Sequence, residues 1–487
     1  MSFFYQGVTV RVDKGQLGGQ QLCWQIAKLY FEFLSSVNKS DAGGNNKDKH
    51  PERMIFPMRI LMLSWEFPPL NVGGLAQHVF ELSRSLVKTD CQVTVLTSQS
   101  DNLPPHENME GIDVWRVNPY HGGQERDFID WTQRLNFALL AKGAALSNQQ
   151  GKYDLVHAHD WLVAYAGSGL KHIYTTPLLA TIHATEFGRN NGLHNPEQRS
   201  IGDLEWWLTY EAWKVICCSR HMEEELQHVF QLPADKIEMI PNGIRPEAYA
   251  VTAGGPTLES MGLHHEEQII FYVGRLVREK GVQVVIEALP AILGRFPQAK
   301  LVVAGTGPHA EQLKNRTREL GLAGKVHFPG YISDEMRNEL YNAAAVAVFP
   351  SLYEPFGIVA LEAMVTNTPV LVSAVGGLDE IVEHEIDGLK AYPGDVHSVA
   401  EQICRLLADR EWAEDLAVRA YAKAQRTYSW DKIARRTAEI YKEIILSPAN
   451  KRWQEQTASG SREGLTTGTR TATGAGTVKK QETPSRR

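Results

Sequence analysis

Two glutamates, Glu354 and Glu362, stand with seven residues between them in "PSLYEPFGIVALEAMVTNTPVLVSAVGG", across a loop and the start of a helical stretch. Two carboxylates alone are ordinary surface charge. The loop that carries Glu354, however, runs into a helix N-terminus, where unbonded N–H groups and the helix dipole favour an anion. With the helix beginning near Gly357, Glu354 projects from the loop and Glu362 lies one to two turns in. The free N–H groups of Phe356, Gly357, Ile358 and Val359 fall between them. Carboxylates that accept from hydroxyls on both sides of an anion-binding helix start fit a ligand with polyhydroxylated ends and an anionic middle. A nucleotide-sugar has that shape.

Three further clusters carry chemistry. "VGRLVREKG" sets Arg275 directly after an apolar run and Lys280 just before the next helical stretch. Paired cations there suit a diphosphate, and a solvated basic loop is the plain alternative. "EFPPLNVGGLAQHV" puts Gly73 and Gly74 before a helix, where glycines let backbone N–H groups approach an anion. "TIHATEFGR" places His183 immediately after a buried-type strand, and a lone histidine is usually packed or solvated until other groups converge on it. His157 and His159 share one strand face, as paired metal ligands do. No third ligand accompanies them in the sequence and no Asp-x-Asp occurs, so no metal or other cofactor is expected.

The elements that must hold these loops read as two series of strands and helices. "MRILMLSW", "CQVTVLT", "YDLVHAHD", "LLATIHA" and "KVICCS" are buried-type strands separated by helical stretches. That alternation belongs to a parallel sheet covered on both faces. It pauses at "KIEMIPNGIRPEAY", where Pro241, Asn242 and Gly243 mark a turn. "QIIFYVGRL", "KLVVAGTG", "KVHFPGY", "AVAVFPS" and "PVLVSAV" form the second series. The expected fold is α/β, with two doubly wound parallel-sheet domains, 58–245 and 246–427, facing a central cleft. Ligands of such sheets bind outside the carboxyl ends of the strands, where all four clusters fall.

Composition narrows the class. The 487 residues are 43% hydrophobic and 22% charged with a formal net charge of −7, which describes a globular protein with no general attraction for nucleic acid or anionic lipid. Five cysteines without a C-x-x-C pair suit a reducing, cytoplasmic setting. No apolar run approaches the ~20 residues of a membrane span, and no signal peptide is recognisable. Residues 1–57, with "NKSDAGGNNKDKHPER", read as a poorly ordered extension, and Met58 or Met54 as the true start. Residues 447–487, rich in Gly, Thr and Ser and basic, read as a disordered tail.

The strings "EFPPLNVGG", "VHAHDW", "IPNGI", "VGRLVREKG", "AGTGP", "FPSLYEPFGIVALEAM" and "AVGGLDEIV" resemble, in order, the retaining glycosyltransferases of family 4. The likeness runs from about Met58 to Leu446 and implies two Rossmann-like domains in the GT-B arrangement. It also implies that "YSWDKIARRTAEIYKEII", within 428–446, crosses back to the first domain as a helix. By the same resemblance Glu362 binds ribose hydroxyls, and Glu354 binds the donor sugar near the reacting carbon. Arg275 and Lys280 neutralise the departing diphosphate, aided by the helix start at Phe356–Val359 and by Gly73 and Gly74. His183 contacts the donor sugar and steadies charge at the anomeric centre, and Asp160 lies on the acceptor side. Front-face attack with retention follows from the family alone.

The segment from His183 to about Leu226 resembles glycogen- and starch-synthase-like members, which implies glucosyl transfer from UDP- or ADP-glucose to an α-glucan. Seven of the eleven tryptophans fall between Trp65 and Trp213. Trp161, Trp206 and Trp207 adjoin cleft loops and are the candidates for stacking on an acceptor sugar. Transfer to a lipid or cell-envelope sugar, a sugar-nucleotide epimerase of the same architecture and a non-catalytic glucan-binding protein are the alternatives. A nicotinamide site at "AGTGPH" lacks the third glycine of G-x-G-x-x-G.

Overall fold

A computed structural model describes residues 2–5, 8–11 and 57–466, apart from 71, 72, 101, 121–126, 252–257 and 265. The first sheet has eight strands in the order Ile237–Met239, Lys214–Cys217, Leu178–Ile182, Leu155–His159, Met58–Leu63, Cys91–Ser98, Ile112–Val117, His106–Met109. All neighbours are parallel except the last pair. That pair, absent from the sequence reading because "HENM" is polar, is a hairpin closed by Glu110 and Gly111, both at positive φ (52° and 88°).

The second sheet has six parallel strands in the order Val326–Gly330, Ala299–Ala304, Gln268–Val273, Val346–Phe349, Val370–Ser373, Leu389–Ala391. Numbered along the chain this is 3-2-1-4-5-6, the doubly wound Rossmann order. The same order lies inside the first sheet, so both domains carry the expected α/β architecture. In each, strand order reverses between two central strands: Met58–Leu63 beside Leu155–His159, and Gln268–Val273 beside Val346–Phe349. The crevice outside a reversal is where such sheets bind ligands. The loops leaving these strands carry Gly73, Asp160, Arg275 and Glu354.

The last domain-scale element is the helix Trp430–Leu446. Ile433, Ala434, Ile440, Tyr441 and Ile444 along one face are buried with Ile60, Met62, Leu82 and Leu86 of the first domain. Each isoleucine on this face contributes about 1.5–3 kcal/mol by leaving water. Tyr441 Oη also bonds His157 Nδ1 at 2.8 Å, so the helix is packed against the strand that leads to Asp160.

The chain beyond it differs from the sequence expectation. Instead of disorder from 447, a helix spans Pro448–Thr466. Ser447 Oγ accepts from the Asn450 N–H at 3.1 Å with proline next in line, a serine cap followed by proline at the first helical position. Trp453 then packs edge-on against Trp213, ring centres 5.9 Å apart. Composition missed this because one cap and one tryptophan anchor a segment otherwise poor in apolar residues. Of the N-terminal extension, Ser2–Tyr5 and Val8–Arg11 pair as an antiparallel two-stranded sheet; the rest of 1–56, and 467–487, lie outside the described residues. Among the described residues no helix is long and apolar enough to cross a membrane.

Candidate functional site

The second domain supplies the charged wall. Lys280 Nζ meets Glu354 Oε2 at 2.6 Å, and Ser351 Oγ donates to the same oxygen at 3.1 Å. Glu354, 6% exposed, is held by its backbone as well: Gly377 N donates to Glu354 O at 3.0 Å. Gly376 beside it has φ +51°, and a Cβ there would stand 2.1 Å from the same carbonyl. Leu352 N donates to Glu279 O at 2.7 Å, so the two loops are fastened along their backbones. A Cβ on Gly281 (φ +70°) would strike Pro350 O at 1.9 Å, so only glycine allows this approach.

Arg275 is exposed at the strand end, and its guanidinium has no hydrogen bond or ion pair among the described residues. Gly357, at φ +106°, begins the helix Ile358–Val365 with no side-chain cap. Its first N–H groups are therefore open to a ligand. Phe356 is buried at 5%, while Ile358 and Val359 are partly exposed. The sequence treats Lys280 and Glu354 as separate contacts. The structure makes them a bonded pair, which a donor must enter or displace.

At the far end of this helix Glu362 is fixed by three groups that the sequence reading did not name. Tyr249 Oη and Tyr341 Oη each donate to its carboxylate at 3.1 Å, and Arg337 Nε lies 4.0 Å away. Arg337 also sits over the Tyr249 ring, 4.8 Å from its centre. Burial, then the Glu362 charge, holds both phenols well above their ordinary range, so they remain donors. Tyr249 belongs to the segment joining the domains, and its only sequence signal was the linker string "NGIRPEAY".

The first domain supplies a different wall. The Gly73–Gly74 loop faces across the cleft: a Cβ on Gly74 would lie 3.3 Å from Ile358 Cδ1. The helix Gly74–Val87 is not a vacant anion site, however, because Glu66 Oε1, 1% exposed, accepts from Ala76 N at 3.1 Å. Four histidines gather beyond this helix start. His159 Nδ1 and His183 Nε2 share a hydrogen at 3.2 Å. The His78 ring stands edge-on to His183 with centres 4.6 Å apart, and His78 Nδ1 bonds Asn242 Oδ1 at 2.7 Å. His157 lies behind His159, bonded to Tyr441 and to Thr181 Oγ1 at 2.7 Å.

Two histidines the sequence does not place beside His159, His78 and His183, come from two other elements to join it, while both ring nitrogens of His157 are taken by Tyr441 and Thr181. His78 was missed because it sits mid-helix in "LAQHVF", where its spacing reads as core. All four rings are kept neutral. Burial and then the Arg189 charge push His183 down to about 3, and burial reinforced by the neighbouring rings lowers His78, His157 and His159 well below the usual imidazole range.

Asp160, at φ +60°, accepts from the His183 N–H at 2.7 Å. Burial pushes its carboxyl up to about 6, opposed by that bond and by Arg189. Its described contact therefore orients His183 rather than an acceptor. Glu205, 2% exposed, accepts from Glu186 N with both oxygens, at 2.9 and 3.1 Å, and holds the turn after His183.

Trp430 packs edge-on against His78, ring centres 5.4 Å apart, but none of the three candidates Trp161, Trp206 and Trp207 has a ring contact with this cluster among the described residues. Trp161 is 6% exposed and packs with Leu162 and Ile201. Trp206 stacks on Tyr210, centres 5.5 Å apart, and Lys236 Nζ lies 5.8 Å from the Tyr210 ring, at the amino end of the sheet. Trp207 tilts against Tyr165. One helix face, Pro196–Glu211, passes from cleft to far end, and spacing alone does not say which end a tryptophan serves. The loop "AGTGPH" is structural: Leu276 N donates to Thr306 O at 2.8 Å, and His309 N to Leu276 O at 2.9 Å, bracing the Arg275 loop.

The walls touch at several points. Ser219 Oγ donates to Pro355 O at 2.6 Å, and the Glu380 carboxylate accepts from Arg220 N and His221 N at 3.1 and 2.9 Å. Cations and an uncapped helix start therefore face neutral imidazoles across a narrow gap. Such a site can bind an anionic leaving group on one side while orienting an uncharged polyol on the other.

Two family models match the chain, glycosyl transferases group 1 over residues 258–423 and glycosyltransferase family 4 over 72–248. An uncharacterised glycosyltransferase of Methanocaldococcus jannaschii is 40% identical over 389 residues, covering 79% of this chain and 98% of the relative. Glycogen synthase of Mycobacterium tuberculosis is 34% identical over 397 residues, covering 79% and 94%. Among solved structures, sucrose-phosphate synthase from Thermosynechococcus elongatus superposes with a TM-score of 0.69 at 28% identity, covering 80% of this chain and 99% of that one.

Proposed function

The chain belongs to the glycosyltransferases that these two models describe, and from that premise we propose that it moves a glucosyl unit from UDP- or ADP-glucose to a saccharide acceptor, an α-glucan, with retention. The observation that carries this reading is the junction of Lys280, Glu354, Arg275 and the uncapped start of Ile358–Val365, set opposite His183 and Gly74. Arg275, Lys280 and the helix N–H groups take up the charge that develops on the departing diphosphate, and no metal is needed to hold it. One such preorganised donor is worth about 3 kcal/mol in the transition state. Glu362, fixed by Tyr249, Tyr341 and Arg337, accepts from the ribose hydroxyls.

On the sugar side, neutral His183 meets the donor's hydroxyls, and Asp160 and His159 set its ring and backbone. Glu354 receives sugar hydroxyls once Lys280 turns to phosphate. The glucan acceptor is supported by the glycogen synthase relative, and a smaller sugar acceptor by sucrose-phosphate synthase. Protein incubated with UDP-glucose or ADP-glucose, with and without glycogen, tests the reading. Chain elongation with stoichiometric nucleotide release supports it. Epimerised donor, or glycogen bound without release of nucleotide, overturns it.

A further inference from the structure

We propose that His78, His159 and His183 form a binding site for a divalent cation of the zinc class, and that its occupancy blocks sugar transfer by engaging the His183 ring. The blocking half rests on the function proposed above. The binding half does not.

One ring nitrogen from each of these three residues lies within 4.8 Å of the other two. A four-coordinate zinc ion with Zn–N near 2.0–2.1 Å places its ligand nitrogens roughly 3.3 Å apart. His159 Nδ1 and His183 Nε2, at 3.2 Å, already stand at that spacing, and His78 closes the remainder by ring rotation. Asn242 Oδ1, 2.7 Å from His78 Nδ1, fixes the hydrogen there and leaves Nε2 as the lone pair, the kind of outer support that metal-bound imidazoles have.

Three protein nitrogens with one position left to water is an established zinc geometry. The ligands come from a helix, a strand end and a post-strand loop, so the ion joins three elements that sequence spacing keeps apart. His183 is the partly exposed member, and the cleft is the way in. On binding, the hydrogen between His159 and His183 moves to the far nitrogen of its ring, and no net proton is released. A His183 so engaged no longer offers its ring to a donor sugar.

Cobalt(II) titrated into the full chain reads the site without any transfer reaction. The expected result is one ion per chain with the visible bands of a tetrahedral nitrogen-rich site, displaced by zinc, and a raised unfolding temperature. His78→Ala should weaken binding at least about tenfold, while His397→Ala, exposed and remote, leaves it unchanged. His78→Gln, which retains a polar contact with Asn242, serves where the alanine variant unfolds. Absent bands, or binding equal in the parent and both His78 variants, overturns the site. Bands without zinc inhibition of transfer overturn only the blocking role, and a protein that transfers no sugar but binds cobalt separates this inference from the proposed function.

Discussion

The two walls of the cleft are built from opposite materials. The second domain offers Lys280 bonded to a buried Glu354, an exposed Arg275 without a partner among the described residues, and an uncapped helix start. The first domain offers four neutral imidazoles with Asp160 behind them, almost wholly buried. A leaving diphosphate needs charge that is already in place, whereas a sugar needs direction and exclusion of water. Under the proposed function each half of the reaction falls to one wall, and variants of the two should therefore fail differently.

The largest effects belong to the charged wall. Lys280→Ala and Arg275→Ala should each lower kcat about 10²–10³-fold and also weaken binding of free UDP or ADP, as steady-state kinetics and calorimetry read separately. His183→Ala should lower kcat with nucleotide affinity unchanged, and equal losses of nucleotide affinity on both walls would break the comparison. Glu362→Ala removes the carboxylate acceptor and should raise the donor KM about 10–100-fold, with little change in kcat. Tyr249→Phe removes one neutral donor from Glu362 and should raise the same KM only a few-fold.

Stability should show the neutral wall in its pH dependence. His183 has a folded pKa pushed down to about 3 against 6.5 unfolded, so its contribution is present above 6.5 and is lost as pH falls toward 3. Asp160, raised to about 6 from 3.8, acts oppositely: its neutral form is favoured in the fold, so it penalises stability as pH rises from about 4 to 6. His78, His157 and His159 add to the His183 side. The melting temperature should therefore fall on acidification below about 6.5, and His183→Gln should flatten that slope.

Much of this was readable in the chain because the fold puts chemistry at strand ends. Apolar runs followed by Arg275, His183 and the Glu354 loop identified the cleft, since a buried parallel strand leaves a distinctive string and its loop follows directly. What the sequence hid came from residues that act across elements. His78 reads as helix core, Tyr249 as linker and Tyr341 as one more buried aromatic, and only tertiary packing turns them toward His183 and Glu362. For Trp206 and Trp207 the difficulty is the converse, since aromatic type and proximity in sequence do not fix which end of a long helix faces the ligand. The Pro448–Thr466 helix was hidden by composition, although its Ser447 cap and Pro448 were in plain view.

A crystal structure of the chain with UDP or ADP bound tests the division of labour most directly. The account predicts phosphate oxygens within about 3.2 Å of Arg275, Lys280 and the N–H groups of Ile358 or Val359, with the Lys280–Glu354 bond opened and Glu362 on the ribose. A diphosphate held instead against the histidine wall, with Lys280 and Glu354 still joined, would contradict it.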